Sequence, residues 1–236
     1  MIEALQSFGD SLYQNIIYDG RYWFYIDGLG VTLRITLGAC LLGITIGLII
    51  AVIRVWASES KSAALTVANA VCRVYLAVIR GTPVMVQLLI FAFVIFGASP
   101  LNRIWVAIIA LGINSGAYSS ETIRAGILAV DKGQTEAGRS LGLNTFDTYR
   151  FIILPQAFKN VLPPLGNELI MLLKETAIVS AIAINDLTRA YSRISNQTYE
   201  FFIPLFTIAF IYFIVVMLMT LGLKYLERWL RKSDNR

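Results

Sequence analysis

The stretch Thr135-Glu136-Ala137-Gly138-Arg139-Ser140-Leu141-Gly142, closed further on by Ile152-Ile153-Leu154-Pro155, lies in a polar island from Arg124 to Lys159 between long apolar runs. Its spacing predicts a short helix over Glu136 to Leu141, with an acid in the first turn, where the macrodipole favours it. Gly142 is positioned to end that helix in the left-handed conformation that residues with a β-carbon adopt reluctantly. Asn144 or Thr145 can cap a second short helix, because Asp147 and Thr148 follow three residues later. Pro155 is expected to end it. The stretch therefore encodes two short amphipathic helices at an angle, exposed between membrane spans.

The surrounding composition agrees. Of 236 residues 57% are apolar and the mean hydropathy is +0.67, whereas a soluble domain is about half apolar. A polytopic membrane protein is implied. Twenty basic against fifteen acidic residues would suit a nucleic-acid partner only if they gathered on one face; here they sit in short blocks between apolar runs. Cys40 and Cys72 fall in apolar or amphipathic helical stretches and read as small packing residues, which supports neither a disulfide framework nor a metal site. Histidine is absent, and with it the commonest general base and metal ligand. Glu3 and Asp10 with no early basic cluster argue against a cleaved signal peptide.

The apolar runs give about five spans. Residues 1–28, with Tyr22, Trp23, Phe24 and Tyr25 beside Arg21 and Asp27, read as an external or interfacial segment. A membrane domain is expected over 29–228, its polar loop over 128–156, with 229–236 as a tail. Within it a first span covers 29–56, and Ser58 to Lys61 make a polar turn. A second apolar region, 63–97, is broken by Arg80-Gly81-Thr82-Pro83; irregular backbone at membrane depth is tolerated only beside protein or a water-filled cavity. The third span covers 104–127. A fourth, 156–173, is expected to be interrupted at Pro163, Pro164 and Gly166, with Ala177 to Ile184 as a further buried piece. After a polar stretch, 185–200, the fifth span covers 201–226.

Basic residues divide unequally between the two sides of this arrangement. Arg54, Lys61, Arg124, Lys132, Arg139, Arg150, Lys159, Lys224, Arg228, Arg231, Lys232 and Arg236 share one side, against Arg21, Arg103, Arg189 and Arg193 on the other. By the positive-inside rule the first side is cytoplasmic, the N-terminus external and the C-terminus cytoplasmic.

Candidate chemistry concentrates in the third span. Asn114, Tyr118 and Glu121 follow at spacings of four and three and share one helix face. A carboxylate inside a span is costly and faces a cavity or a partner. Glu121 is therefore read as lining a cavity or as pairing with Arg124, Arg80 or Lys174. Thr82, Met85 and Gln87, after the broken turn, either face the same cavity or simply pack. Lys174 and Glu175 either pair with each other or line the pathway. A cavity whose most prominent charge is an acid favours arginine, lysine or histidine, with glutamine as the runner-up. No Gly-x-x-x-x-Gly-Lys phosphate loop occurs, so energy for active transport must come from another subunit.

Glu136, Ala137, Gly142, Ile152, Leu154 and Pro155 resemble, in register, the cytoplasmic coupling loop of ABC importer permeases. The departure is Gly138, where that family usually has Ala, a change expected to loosen the helix by about 1 kcal/mol. Arg80-Gly81-Thr82-Pro83 with Gln87-Leu88, the run Ala117 to Ile127, and Lys174-Glu175-Thr176 are similar to permease subunits of polar amino acid importers of the histidine, arginine and glutamine group. The likeness runs from about residue 28 onward. It implies an all-α type I importer permease fold in the cell membrane and a second permease subunit as dimer partner. It further implies two ABC ATPase subunits that hold ATP-Mg, so that this chain needs no cofactor, and an extracytoplasmic solute-binding protein. ATPase coupling would fall to Glu136, Ala137, Gly142, Leu143, Ile152, Leu154 and Pro155. An ion-coupled secondary transporter would leave that loop without a purpose and commonly shows an internal repeat, which is not apparent here. A non-transporting scaffold would not need an intramembrane acid or broken helices.

The charge bias makes a topological prediction. A cysteine introduced at Lys132 should react with membrane-impermeant maleimide only from the cytoplasm, and one at Asn196 only from outside. Labelling of both from one side of sealed cells would overturn the five-span arrangement.

Overall fold

The computed structural model describes residues 2–59 and 62–232, and its regular structure is helical throughout. Lys61 and Arg236, two of the charges counted above, lie outside the described residues. Helix α1 (Ile2–Leu12) leads through a π-turn (Tyr13–Ile17) to a kink at Asp19 and Gly20, both at positive φ, and α2 (Tyr22–Glu59) follows. Next come α3 (Ala63–Gly81), α4 (Val84–Ile90) with a π-turn (Phe91–Ile95), α5 (Arg103–Leu128), and the loop helices α6 (Lys132–Ser140) and α7 (Thr145–Thr148). A π-turn (Tyr149–Ile153) then joins α8 (Leu154–Glu175), a 3-10 helix (Thr176–Ile182), α9 (Leu187–Thr198) and α10 (Phe202–Lys232).

Helices α2, α3, α5, α8 and α10 are the five spans. Three of them, α2, α3 and α10, are long and apolar enough to qualify by composition alone. Helices α5 and α8, of 26 and 22 residues, carry polar side chains that lower their hydropathy, several of them turned inward: Asn114, Ser115, Ser119 and Ser120 on α5 are buried. At 38 residues α2 is about 57 Å long, well beyond the hydrocarbon thickness of a bilayer. It starts at Tyr22, seven residues before the expected boundary, because the chain break is the Asp19–Gly20 kink; the aromatic cluster Tyr22 to Tyr25 thus belongs to the span.

The α2–α5 seam holds the bundle together. Lipid tails are as apolar as leucine, so spans associate through close packing, which small residues permit. A β-carbon built on Gly47 of α2 would stand 2.8 Å from Ser119 Cβ and 2.9 Å from the Ser120 nitrogen. The lock is mutual, since Ile46 of α2 occupies the space above Gly116 of α5 at 2.8 Å. Two Gly-x-x-x-Gly pairs, 43/47 and 112/116, encode this seam. Around it one apolar cluster joins Ile35, Leu88, Leu111, Val179 and Ile182, and a second joins Ala51, Val55, Ile123, Ile153 and Val161 toward the loop end.

Several local expectations are corrected. Helix α8 runs unbroken through Pro163 and Pro164. Proline's fixed φ is helical, so each costs a backbone hydrogen bond without forcing a break where neighbouring helices confine the chain. Pro155 does not end a helix but sits in the first turn of α8, where its missing N–H is no loss. Glu136 is not in the first turn of its helix: α6 begins at Lys132, because the Asp131 side chain caps it by accepting from the Gly133 N–H at 2.7 Å. The polar stretch 185–200 contains α9, whose Leu187, Ala190 and Ile194 bury against Tyr25 and Ile208. Asp186 caps it by accepting from the N–H groups of Thr188 and Arg189 at 3.0 Å each, and burial nevertheless pushes its carboxyl above the usual range. The Leu187 N–H donates to Thr32 of α2, which fastens α9 to the bundle.

Packing of the seam is testable. Gly47→Leu should destabilise the protein by about 2 kcal/mol through overpacking, read as a lower Tm after detergent solubilisation. Gly30→Leu, in the same helix but with nothing within 4 Å of its β-carbon position, should leave Tm nearly unchanged. Equal shifts for both would show that the seam is not the tight contact.

Candidate translocation site and coupling surface

Thr82 and Pro83 interrupt the second span, and the gap between α3 and α4 is closed by one side chain. Gln87 donates from Nε2 to the Ile79 carbonyl (2.7 Å), to the Thr82 carbonyl (3.1 Å) and to Thr82 Oγ1 (2.7 Å). Its Oε1 accepts from Asn114 Nδ2 at 2.9 Å, and both residues are buried. Gln87 and Asn114 are therefore engaged in stitching the broken turn to α5. Thr82 and Met85 remain exposed on the near side of the break.

One turn on from Asn114, Tyr118 faces the Arg80 guanidinium, 5.5 Å from the ring centre. Glu121, the next residue on this face, is doubly ion-paired. Arg54 of α2 donates to one carboxylate oxygen, and Arg124 donates to the other from Nη2 at 2.9 Å and from Nε at 3.3 Å. Of the partners expected for Glu121, Arg124 is correct, Arg80 and Lys174 are not, and Arg54 was not foreseen. Its contact depends on the α2–α5 register, which no local pattern in the sequence displays. Arg54 also feels the repulsion of Arg124, Arg73 and Arg80. This end of the bundle is thus rich in cations around a single neutralised acid.

Helix α8 supplies the carboxylates that Glu121 does not. Glu168 and Glu175 are seven residues apart, two turns along one face, and both are only partly buried. Neither stands in an ion pair within the described chain, and Glu175 does not pair with its neighbour Lys174, which is exposed. Arg80 is near enough to attract Glu168, and Glu175 near enough to repel it. Glu168 was missed by the sequence reading, although the rule that singled out Glu121, an acid inside a span, applies to it equally.

The loop end presents the coupling residues. After α6, Gly142 is left-handed at φ 84°, the Leu143 N–H reaches the Gly138 carbonyl at 3.1 Å and the Gly142 N–H the Arg139 carbonyl at 3.0 Å, a Schellman motif. Asn144, not Thr145, caps α7, accepting from the Asp147 N–H at 2.9 Å. Gly138 has a packing role: a β-carbon there would meet Thr148 Cγ2 and Ile152 Cδ1 at 2.9 Å, so the glycine lets α6 lie close against the segment after α7. Glu136, Ala137, Leu154 and Pro155 are exposed, while Leu143 and Ile152 are half-buried. Three further side chains, Leu141, Phe146 and Phe151, are 81%, 65% and 62% exposed. These large apolar groups give the polar loop an exposed apolar surface.

Comparisons with known proteins agree with this architecture. Residues 43–232 match the family described as binding-protein-dependent transport system inner membrane component. The arginine transport system permease protein ArtQ of Bacillus subtilis (strain 168) is 37% identical over 216 residues, covering 89% of this chain and 94% of the relative. The glutamine transport system permease protein GlnP of Escherichia coli (strain K12) is 34% identical over 198 residues, 83% and 89% respectively. A solved amino acid ABC transporter crystallised with histidines superposes with a TM-score of 0.79 at 43% identity, covering 87% of this chain and 93% of the other. The MetNI methionine transporter, at 19% identity and TM-score 0.75, shares the fold. The chain belongs to the family of binding-protein-dependent inner-membrane permeases and is a membrane-integral permease subunit of a polar amino acid ABC importer.

Proposed function

We propose that this permease carries basic amino acids, and that Glu168 and Glu175 of α8, rather than Glu121, provide the acid that attracts them. The observation that carries this reading is the pair of partly buried carboxylates that stand in no ion pair among the described residues, with Arg80 of the broken turn within electrostatic reach of Glu168. A carboxylate at membrane depth attracts a cation far more strongly than one in water. Tyr118, Thr82, Met85 and Lys174 complete the pathway lining in this proposal, with Asn114 and Gln87 fixing its shape. Glu121 instead ties α2 to α5. The names of the relatives, arginine and glutamine permeases, support a polar substrate and leave glutamine as the second reading.

Energy enters through the loop. Glu136, Ala137, Gly142, Leu143, Ile152, Leu154 and Pro155, with Leu141, Phe146 and Phe151 added from their exposure, form the seat of an ATPase subunit in this proposal. Two such subunits hold and hydrolyse ATP-Mg, this chain has no catalytic role, and a second permease completes the pathway. A solute-binding protein delivers the amino acid from outside, where the N-terminus lies, and the C-terminus is cytoplasmic.

Glu168→Gln and Glu175→Gln should each lower arginine-stimulated ATPase activity of the assembled complex about tenfold, the equivalent of about 1.4 kcal/mol of lost charge pairing. Glutamine stimulation should change little. Glu121→Gln should lower Tm and leave the preference for arginine intact. Arginine transport at wild-type rates by the Glu168→Gln and Glu175→Gln double variant would remove the proposed site. In the loop, Gly142→Val forces a β-branched residue into the left-handed region. ATP hydrolysis should then uncouple from uptake, or the ATPase should dissociate, at normal membrane levels of the permease; unimpaired uptake would sink this assignment.

A further inference from the structure

A second groove lies where the α2–α3 elbow meets the loop helices. It encloses about 560 Å³ and is lined by Trp56 and Leu65 on one side and by Thr135, Arg139 and Thr145 on the other, over a floor that includes Thr148. Trp56, 53% exposed, stands one turn before the end of a span, and Leu65 lies in the first turn of the next. Tryptophan at a span terminus sits at headgroup level. Arg139 is exposed and makes no ion pair in the described chain, although Glu136 precedes it by one turn of the same helix. Among the described residues no carboxylate lines the groove. Thr135 and Thr145 line the groove together with Arg139, whereas the hydroxyl of Thr148 is committed to the Asn144 carbonyl at 2.9 Å.

We propose that this groove binds the phosphate of an anionic phospholipid headgroup. Arg139 meets the phosphate oxygens, for which a guanidinium fork is shaped. The two threonine hydroxyls donate to the remaining oxygens, and Trp56 and Leu65 hold the glycerol and the start of the acyl chains. One end of the groove is apolar and faces the span termini, while the other is cationic and faces the loop, which matches an amphiphile with an anionic head. A lipid seated here ties α6 to the bilayer, so the lipid composition of the inner leaflet sets how firmly the coupling loop is held. The inference rests on the orientation proposed above, with the loop in the cytoplasm.

The test uses the assembled complex in nanodiscs of phosphatidylcholine, alone or mixed equally with phosphatidylglycerol, with retained lipid counted by native mass spectrometry. Wild type should retain phosphatidylglycerol in preference to phosphatidylcholine. Arg139→Gln should lose about fivefold of that preference, the scale of one basic side chain at an anionic surface, and Arg139→Lys should recover part of it. Trp56→Ala, on α2 and outside the loop helices, should weaken retention of both lipids. If inorganic phosphate added to the mixed discs displaces no phosphatidylglycerol, the source is the lipid; if it competes, the groove takes soluble phosphate and the lipid assignment is overturned. Equal phosphatidylglycerol preference in wild type and Arg139→Gln also overturns it. So does loss of the ATPase subunits from Arg139→Gln with lipid preference unchanged, which would mean that the groove receives protein. Lipid retention is read without any transport assay, so the amino acid reading can fail while this one stands.

Discussion

The fold depends on the contact of α2 with α5. Because hydrocarbon gives spans no hydrophobic reason to associate, their mutual attraction comes from van der Waals contact and from polar groups that must be satisfied away from water. Glycines at 43, 47, 112 and 116 bring the two backbones close, and the side chains of each helix fill the other's gaps. The same approach carries Arg54 across to Glu121, so the ion pair is a consequence of the seam as much as a support for it. Replacing Glu121 alone would leave Arg54 and Arg124 without their counterion, whereas Glu121 would keep Arg124 if Arg54 were replaced, so the acid is the member of the network that is costly to change.

From that rigid pair the irregular segments gain their tolerance. The break at Thr82–Pro83 would expose backbone groups in lipid; Gln87 and Asn114 satisfy it because α4 is held against α5. At the far end of α8 the 3-10 segment stops at Ala183, which is left-handed, and Arg103 donates to the Ile182 carbonyl at 2.8 Å. Thr32 then receives the Leu187 N–H, so α2 touches the pathway elements at both ends of the membrane.

Electrostatics divide the interior into two regions. Near the loop, Arg54 and Arg124 surround Glu121, with Arg73 and Arg80 in range, and the balance is positive. On α8, Glu168 and Glu175 give a negative strip opposed by Arg80 and the exposed Lys174. In the proposed pathway, a zwitterion with a cationic side chain would meet groups that suit its side chain and its carboxylate at different places.

The sequence by itself determined the five spans, the broken second span, the loop and its left-handed Gly142, because each is written in composition or in a turn signal of a few residues. Asn114, Tyr118 and Glu121 were legible as one helical face for the same reason: a 3.6-residue period is local. What those side chains touch was not local. Only the tertiary structure decided that Glu121 is shared by Arg54 and Arg124, that Asn114 and Gln87 serve the broken turn, and that Glu168 and Glu175 of α8 stand in no ion pair among the described residues. Gly138 makes the same point, since its missing methyl reads as a flaw in helix propensity until Thr148 and Ile152 are seen packed against it. The prolines of α8 also read as breaks, because local propensity measures the cost of a lost hydrogen bond and knows nothing of the neighbouring helices that hold the chain straight.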